Sequence, residues 1–373
     1  MKQHRRQAAV SGLGAGKRSG IAGRRLRRAA RGIFCAALAA ASFLDAGRLR
    51  AEPEGVPQDL PDEVQEQVNA VFEKTQGAIV RVEAEDDQGL LAGTGFFIEP
   101  DGLLYTLYSV GGQSHDIVVC HGDLKYPATR VGADPRSGVA LLKVDARTPF
   151  LRLGNSRALV AATPVMSVGY PLEFPLIPSF GLVAGFDRKY LDRFFATTHI
   201  RAKVPVQRGQ GGAPLMNLKG EVVGILVSSL AGGTALFALP IEAAEKVRRD
   251  IVRFGGVHPG WMGIDVGPGA GAVAGSTAEV RDVFPNAPGA AAGIKHGDVL
   301  LKVGNTNITS PEDIIEASFF LTADDEVQVK VMRGTEAMEF NVLPQLPSGF
   351  RSAPVLGSTD DLGGFPQAFR PLK

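Results

Sequence analysis

Between residues 78 and 144, and again between 165 and 239, short runs rich in β-branched and aromatic residues alternate with Gly, Asp and Pro turns, a rhythm that few folds accommodate. The first set covers 79–82, 95–98, 103–108, 117–120 and 139–144; the second covers 165–169, 181–184, 202–206, 220–228 and 234–239. Strands this short and this closely spaced predict antiparallel sheets closed into barrels or stacked as sandwiches. Helical spacing flanks them. Val64, Val68, Val71 and Phe72 predict an amphipathic helix over 61–74, and Ala243, Val247, Ile251 and Phe254 predict another, opened by Pro240-Ile241-Glu242. A linker at 255–259 leads into a third module ending near Pro344, followed by a Gly-, Pro- and Ser-rich stretch that reads as a flexible tail.

Charge divides the chain unevenly. Residues 1–51 hold twelve Lys or Arg against one Asp, while the remainder holds twenty-eight against thirty-eight, so a whole-chain net of +1 conceals a basic leader and an acidic body. An acidic body gives no electrostatic basis for binding nucleic acid. The leader has another explanation: Arg24, Arg25, Arg27, Arg28 and Arg31 precede an apolar run over 33–44, and Leu49-Arg50-Ala51 supplies a small-residue cleavage site, as in a secretory signal peptide. The run is shorter than the roughly 20 residues that span a bilayer, which disfavours an uncleaved anchor. Arg24-Arg25 reads as part of an ordinary basic leader, the flanking residues fitting a twin-arginine signal poorly, and the route of export stays open. Cys35 lies in that leader, which leaves Cys120 as the body's one thiol and no internal disulfide; next to His121 it reads as a strand-end cysteine, not a nucleophile. The six histidines form no HExxH arrangement, and no phosphate loop, dinucleotide fingerprint or 20–50-residue repeat is present. No cofactor or metal is implied.

Four segments, in order, resemble the HtrA family of trypsin-like serine proteases. Residues 93–106 (GTGFFIEPDGLLYT) are similar to the family phrase GSGFIISPDGYILT, which continues NNHV; here the continuation is Leu107-Tyr108-Ser109-Val110, with Ser109 at the histidine position. Residues 134–143 (DPRSGVALLK) match a D-x-x-x-D-L-A-L-L-K phrase in which Gly138 stands for the triad aspartate. Residues 153–156 (LGNS) and 168–171 (VGYP) resemble phrases near the start of the second barrel. Residues 208–215 (RGQGGAPL), followed by GEVVGI at 220–225, are similar to PGNSGGPL, with Gly211 in place of the serine nucleophile. The resemblance implies a double antiparallel β-barrel whose triad-equivalent positions are Ser109, Gly138 and Gly211.

A serine attacks a peptide carbonyl only when a base takes its proton and a third group orients that base. Glycine supplies none of these functions. Ser109 and Ser137 would lack a base, and His199, in the strand-like Thr198-His199-Ile200, reads as structural or surface-exposed. By resemblance, Gly209 and Gly211 hold the positions whose N–H groups form an oxyanion hole; the same glycines also suit a tight turn, and the sequence does not choose. The stretch 228–234 corresponds to a substrate-side strand on which extended peptide could lie.

In the third module, Gly260-Trp261-Met262-Gly263-Ile264 resembles the Gly-Φ-Gly-Φ carboxylate-binding loop of bacterial PDZ domains, and 284–301 resembles SPAAKAGLKAGDVIL. Such a loop is an anion nest beside an exposed strand edge. Residues 311–321 are expected to form the helix walling the groove, with Trp261 and Phe319 serving either ligand or core. The expected organisation is therefore a signal peptide (1–51), a linker and short helix (52–76), a trypsin-like double β-barrel (77–255), a PDZ domain (258–345) and a flexible tail (346–373). The expected function is non-catalytic binding of peptides or unfolded protein C-termini in the periplasm or cell envelope. The alternatives are a serine endopeptidase with displaced catalytic residues and a partner of active HtrA-type proteases; family resemblance also implies a trimer.

Overall fold

The computed structural model describes residues 62–350, apart from Glu173, Leu191 and Asp192. The expected leader and the residues after 350 lie outside this span. Helix α1 (Asp62–Thr75) precedes a closed six-stranded barrel built from β1 (Ile79–Asp86), β2 (Gly89–Phe97), β3 (Leu103–Leu107), β4 (His115–His121), β5 (Leu124–Asp134) and β6 (Val139–Val144) in the order β1-β2-β3-β6-β5-β4. A short helix α2 (Tyr108–Gly111) follows β3, where the sequence predicts strand as far as Tyr108. A second closed barrel uses β7 (Pro164–Gly169), β8 (Ile177–Tyr190), β9 (Arg193–Lys203), β10 (Pro214–Met216), β11 (Val222–Ser229) and β12 (Leu236–Pro240) in the order β10-β11-β12-β9-β8-β7. The expected double β-barrel is present, followed by the expected PDZ fold.

Strand periodicity explains how one run serves two cores. Val80, Val82 and Ala84 point into the first barrel with Phe97, Leu104 and Leu142. Their neighbours Ile79, Phe96, Tyr105 and Leu141 face the other way, into an apolar layer shared with Met166, Val168, Met216 and Ile225 of the second barrel. Val165, Val183, Ile200, Leu215 and Leu236 fill the second barrel. Strands buried on both faces read as continuous apolar runs, as in 139–144. Strand β5 has no such run, its burial alternating over residues that include Lys125, Pro127 and Arg130; this is why sequence patterning misses it.

Helix α1 is not a loose connection: Val68 and Val71 join the shared layer, and Lys74 Nζ donates to Lys219 O (2.9 Å). Helix α3 (Ile241–Phe254) lies across the layer through Ala243, Ala244, Val247 and Ile251, and stops at Gly255, whose φ of 74° suits a left-handed helix end. Tyr105 Oη donates to Ala244 O (3.0 Å) and Glu245 Oε1 (2.7 Å), tying β3 to α3; burial and the Glu245 charge hold its hydroxyl well above the usual phenol range.

The third module is a sheet in the order β13-β14-β15-β17-β18, from β13 (Ile264–Val273), β14 (Ser276–Val283), β15 (Val299–Val303), β17 (Val327–Arg333) and β18 (Glu336–Val342), with the short β16 (Thr306–Asn307) on β15. Helices α4 (Pro288–Ala292) and α5 (Asp313–Phe320) accompany it. Its core gathers Met262, Val280, Leu300, Ala317, Val329 and Val342. Gln345 pairs with Trp261 at the end of the module, and Phe350, in the stretch expected to form the tail, packs on the shared layer because its ring finds apolar partners there.

The module is fastened to the barrels at polar points. Asp250 on α3, fully buried, accepts from Lys246 Nζ (2.6 Å), His258 N (2.9 Å) and Thr322 Oγ1 (3.2 Å), so one carboxylate links α3, the linker and the end of α5. Thr198 N on β9 donates to Glu316 Oε2 (3.0 Å) on α5, and Arg188 pairs with Asp313. Burial pushes the Lys246 ammonium down in pKa, and Asp250 opposes that shift. Removing one partner of a buried pair leaves the other charge uncompensated. Asp250→Ala is therefore expected to destabilise the protein by about 3–5 kcal/mol in urea denaturation, with Asp250→Asn losing less because its one carboxamide oxygen, placed at the Oδ2 position, still accepts from His258 N.

Candidate functional site

The three positions singled out by the sequence meet at the seam between the barrels. Tyr108 N donates to Gly138 O (2.8 Å), which brings α2 against the loop between β5 and β6. Thr94 N donates to Gly211 O (2.9 Å), and a Cβ built on Gly211 would lie 2.7 Å from Leu107 Cδ2. Ser109, Gly138 and Gly211 are thus neighbours through Leu107 and Tyr108.

The side chains that a Cβ at Gly211 or Gly138 would meet are apolar. The Leu107 methyl occupies the space into which a side chain at 211 would project. Gly138 has φ of 79°, a left-handed conformation that strains any L side chain, and a Cβ there would face Val227 Cγ1 at 3.5 Å. A carboxylate aimed at that methyl would find no donor on it, and a buried charge without hydrogen bonds is costly. Ser137 is buried, with its hydroxyl donating to Asp134 O (3.3 Å). Leu107 and Val227 are residues that the motif reading passed over. A signal for Leu107 was available, since it stands where the resembling phrase has Asn.

The loop carrying Gly209 and Gly211 is fixed through its carbonyls. Arg208 O accepts from Leu172 N (3.0 Å), Gly209 O from Thr94 Oγ1 (3.0 Å), and Thr94 Oγ1 accepts in turn from Tyr170 N (2.9 Å). Gly209 has φ of 90°, and a Cβ on it would collide with the Leu172 amide, so the turn requires glycine. The Gly209 and Gly211 amides find no acceptor among the described residues. Of the stretch 228–234, Ser228 and Ser229 pair with Phe237 and Leu236 in β12, and Gly233 O accepts from Val206 N (2.8 Å).

His199 lies away from the seam, on β9, with its Nδ1 2.8 Å from Thr197 O and its ring stacked on Phe195 (4.2 Å). Cys120 is partly exposed on β4, and burial raises its thiol pKa, the reverse of what a nucleophilic thiolate needs.

A second concave site forms between the 260–264 loop, the first residues of β13 and α5, enclosing about 650 Å3. Its walls include Met262, Ile264, Val266, Ile314 and Ile315, with Phe319 at the inner end. Not all of the loop's amides are free: Gly260 N donates to Leu321 O (3.0 Å) and Trp261 N to Gln345 O (2.7 Å). The Met262 and Gly263 amides have no acceptor among the described residues. Gly263 has φ of 71°, and a Cβ there would strike Ala287. Trp261 both lines the cavity and packs on Phe284 (5.8 Å), while Phe319 is 4% exposed and belongs to the shared layer as well as the wall. Among the described residues, no group of three or more His, Cys, Asp or Glu could hold a metal ion, and no helix is long and apolar enough to cross a membrane.

Residues 93–225 match the trypsin-like peptidase domain and 260–343 the PDZ domain. A probable periplasmic serine endoprotease, DegP-like, from Pseudomonas fluorescens is 32% identical over 254 residues, covering 65% of this chain and 53% of the relative. One of the same description from Chlamydia pneumoniae is 27% identical over 284 residues, covering 73% and 58%. The chain thus spans a little over half the length of these curated relatives. Among solved structures, an HtrA-type protease, AlgW, with a tripeptide superposes with a TM-score of 0.64 at 20% identity, over 77% of this chain and 98% of that one. The serine endoprotease from Yersinia pestis gives 0.56 at 23%, over 75% and 98%.

The buried His199 titrates at about 4, below the ordinary 6.5, because burial disfavours the imidazolium. A pKa depressed by folding contributes stability above about 6.5 that is lost as pH falls toward about 4. His199→Phe is expected to flatten that acid limb by about 2–3 kcal/mol, read from urea denaturation at pH 7 and at pH 4.

Proposed function

The chain is an HtrA/DegP-like pairing of a trypsin-like peptidase domain with a PDZ domain, and from that premise we propose that it captures peptides or unfolded chain ends without cutting them. The contact between Gly211 and Leu107 carries this reading. The nucleophile position has no side chain, its space holds a leucine methyl, and Ser109 and Gly138 supply neither base nor orienting carboxylate. Loss of a triad costs on the order of a millionfold in turnover, since the three groups act as one unit. The carbonyl-anchored glycine loop keeps two backbone amides available, a means of holding a carbonyl or carboxylate without attacking it.

Peptide capture belongs to the groove. Its free Met262 and Gly263 amides suit a terminal carboxylate, the β13 edge suits an added strand, and the apolar walls suit a hydrophobic last residue. The AlgW structure in the comparison holds a tripeptide, which favours peptide binding here. The basic leader and the periplasmic naming of the relatives support placement in the cell envelope. Trimer formation and association with an active HtrA-type protease rest on resemblance; sedimentation and co-purification test them.

The purified chain is expected to leave unfolded casein intact and to resist labelling by a serine-directed fluorophosphonate. Cleavage abolished by a single Ser→Ala change would overturn the non-catalytic reading in favour of displaced catalytic residues. Gly263→Ala, which strains the loop and drives a methyl into Ala287, is expected to weaken binding of hydrophobic C-terminal peptides by about tenfold or more in calorimetry. Unchanged affinity would remove the groove from the function.

A further inference from the structure

The groove is not made by the PDZ fold alone. Two of its lining residues, Arg136 and Ala196, come from the barrels: Arg136 from the loop that carries Gly138, and Ala196 from β9. Arg136 is the only cation among the lining residues, whereas Asp265 and Glu312 are acidic. Its guanidinium sits over the Phe319 ring, with Cζ 5.8 Å from the centroid. Phe319 is one residue from the end of α5, and Leu321 just beyond it accepts from Gly260 N (3.0 Å). Arg136 therefore stands at the end of the groove where the 260–264 loop begins.

Asp134, which has no exposure, positions this side chain. It accepts from Arg136 N (3.1 Å) and Nε (3.0 Å), with Nη2 more distant at 3.4 Å. A guanidinium carries five donors in a rigid fork. The edge bearing Nη1 has no acceptor among the described residues, and the side chain is 33% exposed. A cation oriented by a buried carboxylate, over an aromatic ring and lining the same groove as the free Met262 and Gly263 amides, is arranged to receive an anion.

We propose that Arg136 of the peptidase domain is a specificity-determining residue of the peptide groove, selecting ligands with a carboxylate at their C-terminal end. The carboxylate is either the terminal group itself or an acidic side chain within the last three residues. The bound peptide then touches both domains at once. Glu312, at the opposite end of α5 from Phe319, disfavours acidic residues farther upstream. This inference rests on the PDZ groove being the peptide site.

Calorimetry with synthetic peptides on the full chain tests it, using one hydrophobic-ended sequence in four forms: free acid or C-terminal amide, each with Glu or Gln at the penultimate position. The wild-type chain is expected to prefer at least one acidic form over its neutral counterpart by about five- to twentyfold, with the preference falling as salt rises. Arg136→Gln, whose backbone N–H still donates to Asp134, is expected to reduce that preference, read as the ratio of affinities for the acidic and neutral forms. If the Glu-over-Gln ratio collapses, the side-chain carboxylate is the partner; if the acid-over-amide ratio shrinks, the terminal one is. Equal wild-type affinity for all four forms, or preferences undiminished in Arg136→Gln, would overturn the inference and leave the groove reading intact. Failure of every peptide to bind would overturn both. A thermal melt of Arg136→Gln checks its folding, and equal wild-type affinity for all four forms overturns the inference without the variant.

Discussion

Burial of the same short strands on both faces is the constraint from which the rest of the molecule follows. Ile79, Phe96, Tyr105 and Leu141 from one barrel and Met166, Val168, Met216 and Ile225 from the other cannot all be covered inside either barrel. The two closed sheets must meet, and helices α1 and α3 must cover what their contact leaves open. Apolar burial contributes about 25 cal/mol per Å2, so a layer shared by two barrels and two helices outweighs any single polar contact in the fold. The seam it creates is where α2, the Gly138 loop and the Gly209–Gly211 turn converge.

At that seam, backbone and side chains tell different stories. Arg208 O, Gly209 O and Gly211 O are held by Leu172 N, Thr94 Oγ1 and Thr94 N, so the turn keeps a defined shape. The side chains that fill the space, Leu107 and Val227, have no protons to exchange.

Polar contacts, few but buried, set where the third module sits. Asp250 joins Lys246, the linker amide of His258 and Thr322, while α5 is held by Thr198 and Arg188 from the long β8–β9 hairpin. This attachment turns the open side of the PDZ groove toward the barrels and brings Arg136 to it. The cleft and the groove are consequently separated by one loop: residues 134–138 carry Gly138 at one end and the groove's cation in the middle.

The sequence by itself determined the fold class and the order of its parts, because period-two burial, turn glycines and the carboxylate-loop phrase are local signals that survive without coordinates. It also placed Ser109, Gly138 and Gly211 within their phrases, since each is bracketed by residues with a pattern of their own. Strand β5 escaped, as its alternation includes Lys, Pro and Arg, and so did the packing of Phe350, whose partners are distant in sequence. Tertiary structure alone decided that Gly260 and Trp261 spend their amides on Leu321 and Gln345, that Leu107 fills the space beside Gly211, and that Arg136 enters a groove built more than 120 residues later. The physical reason is common to all of these: a side chain's type is written locally, but the space it fills and the donor it meets are set by segments that only folding brings together.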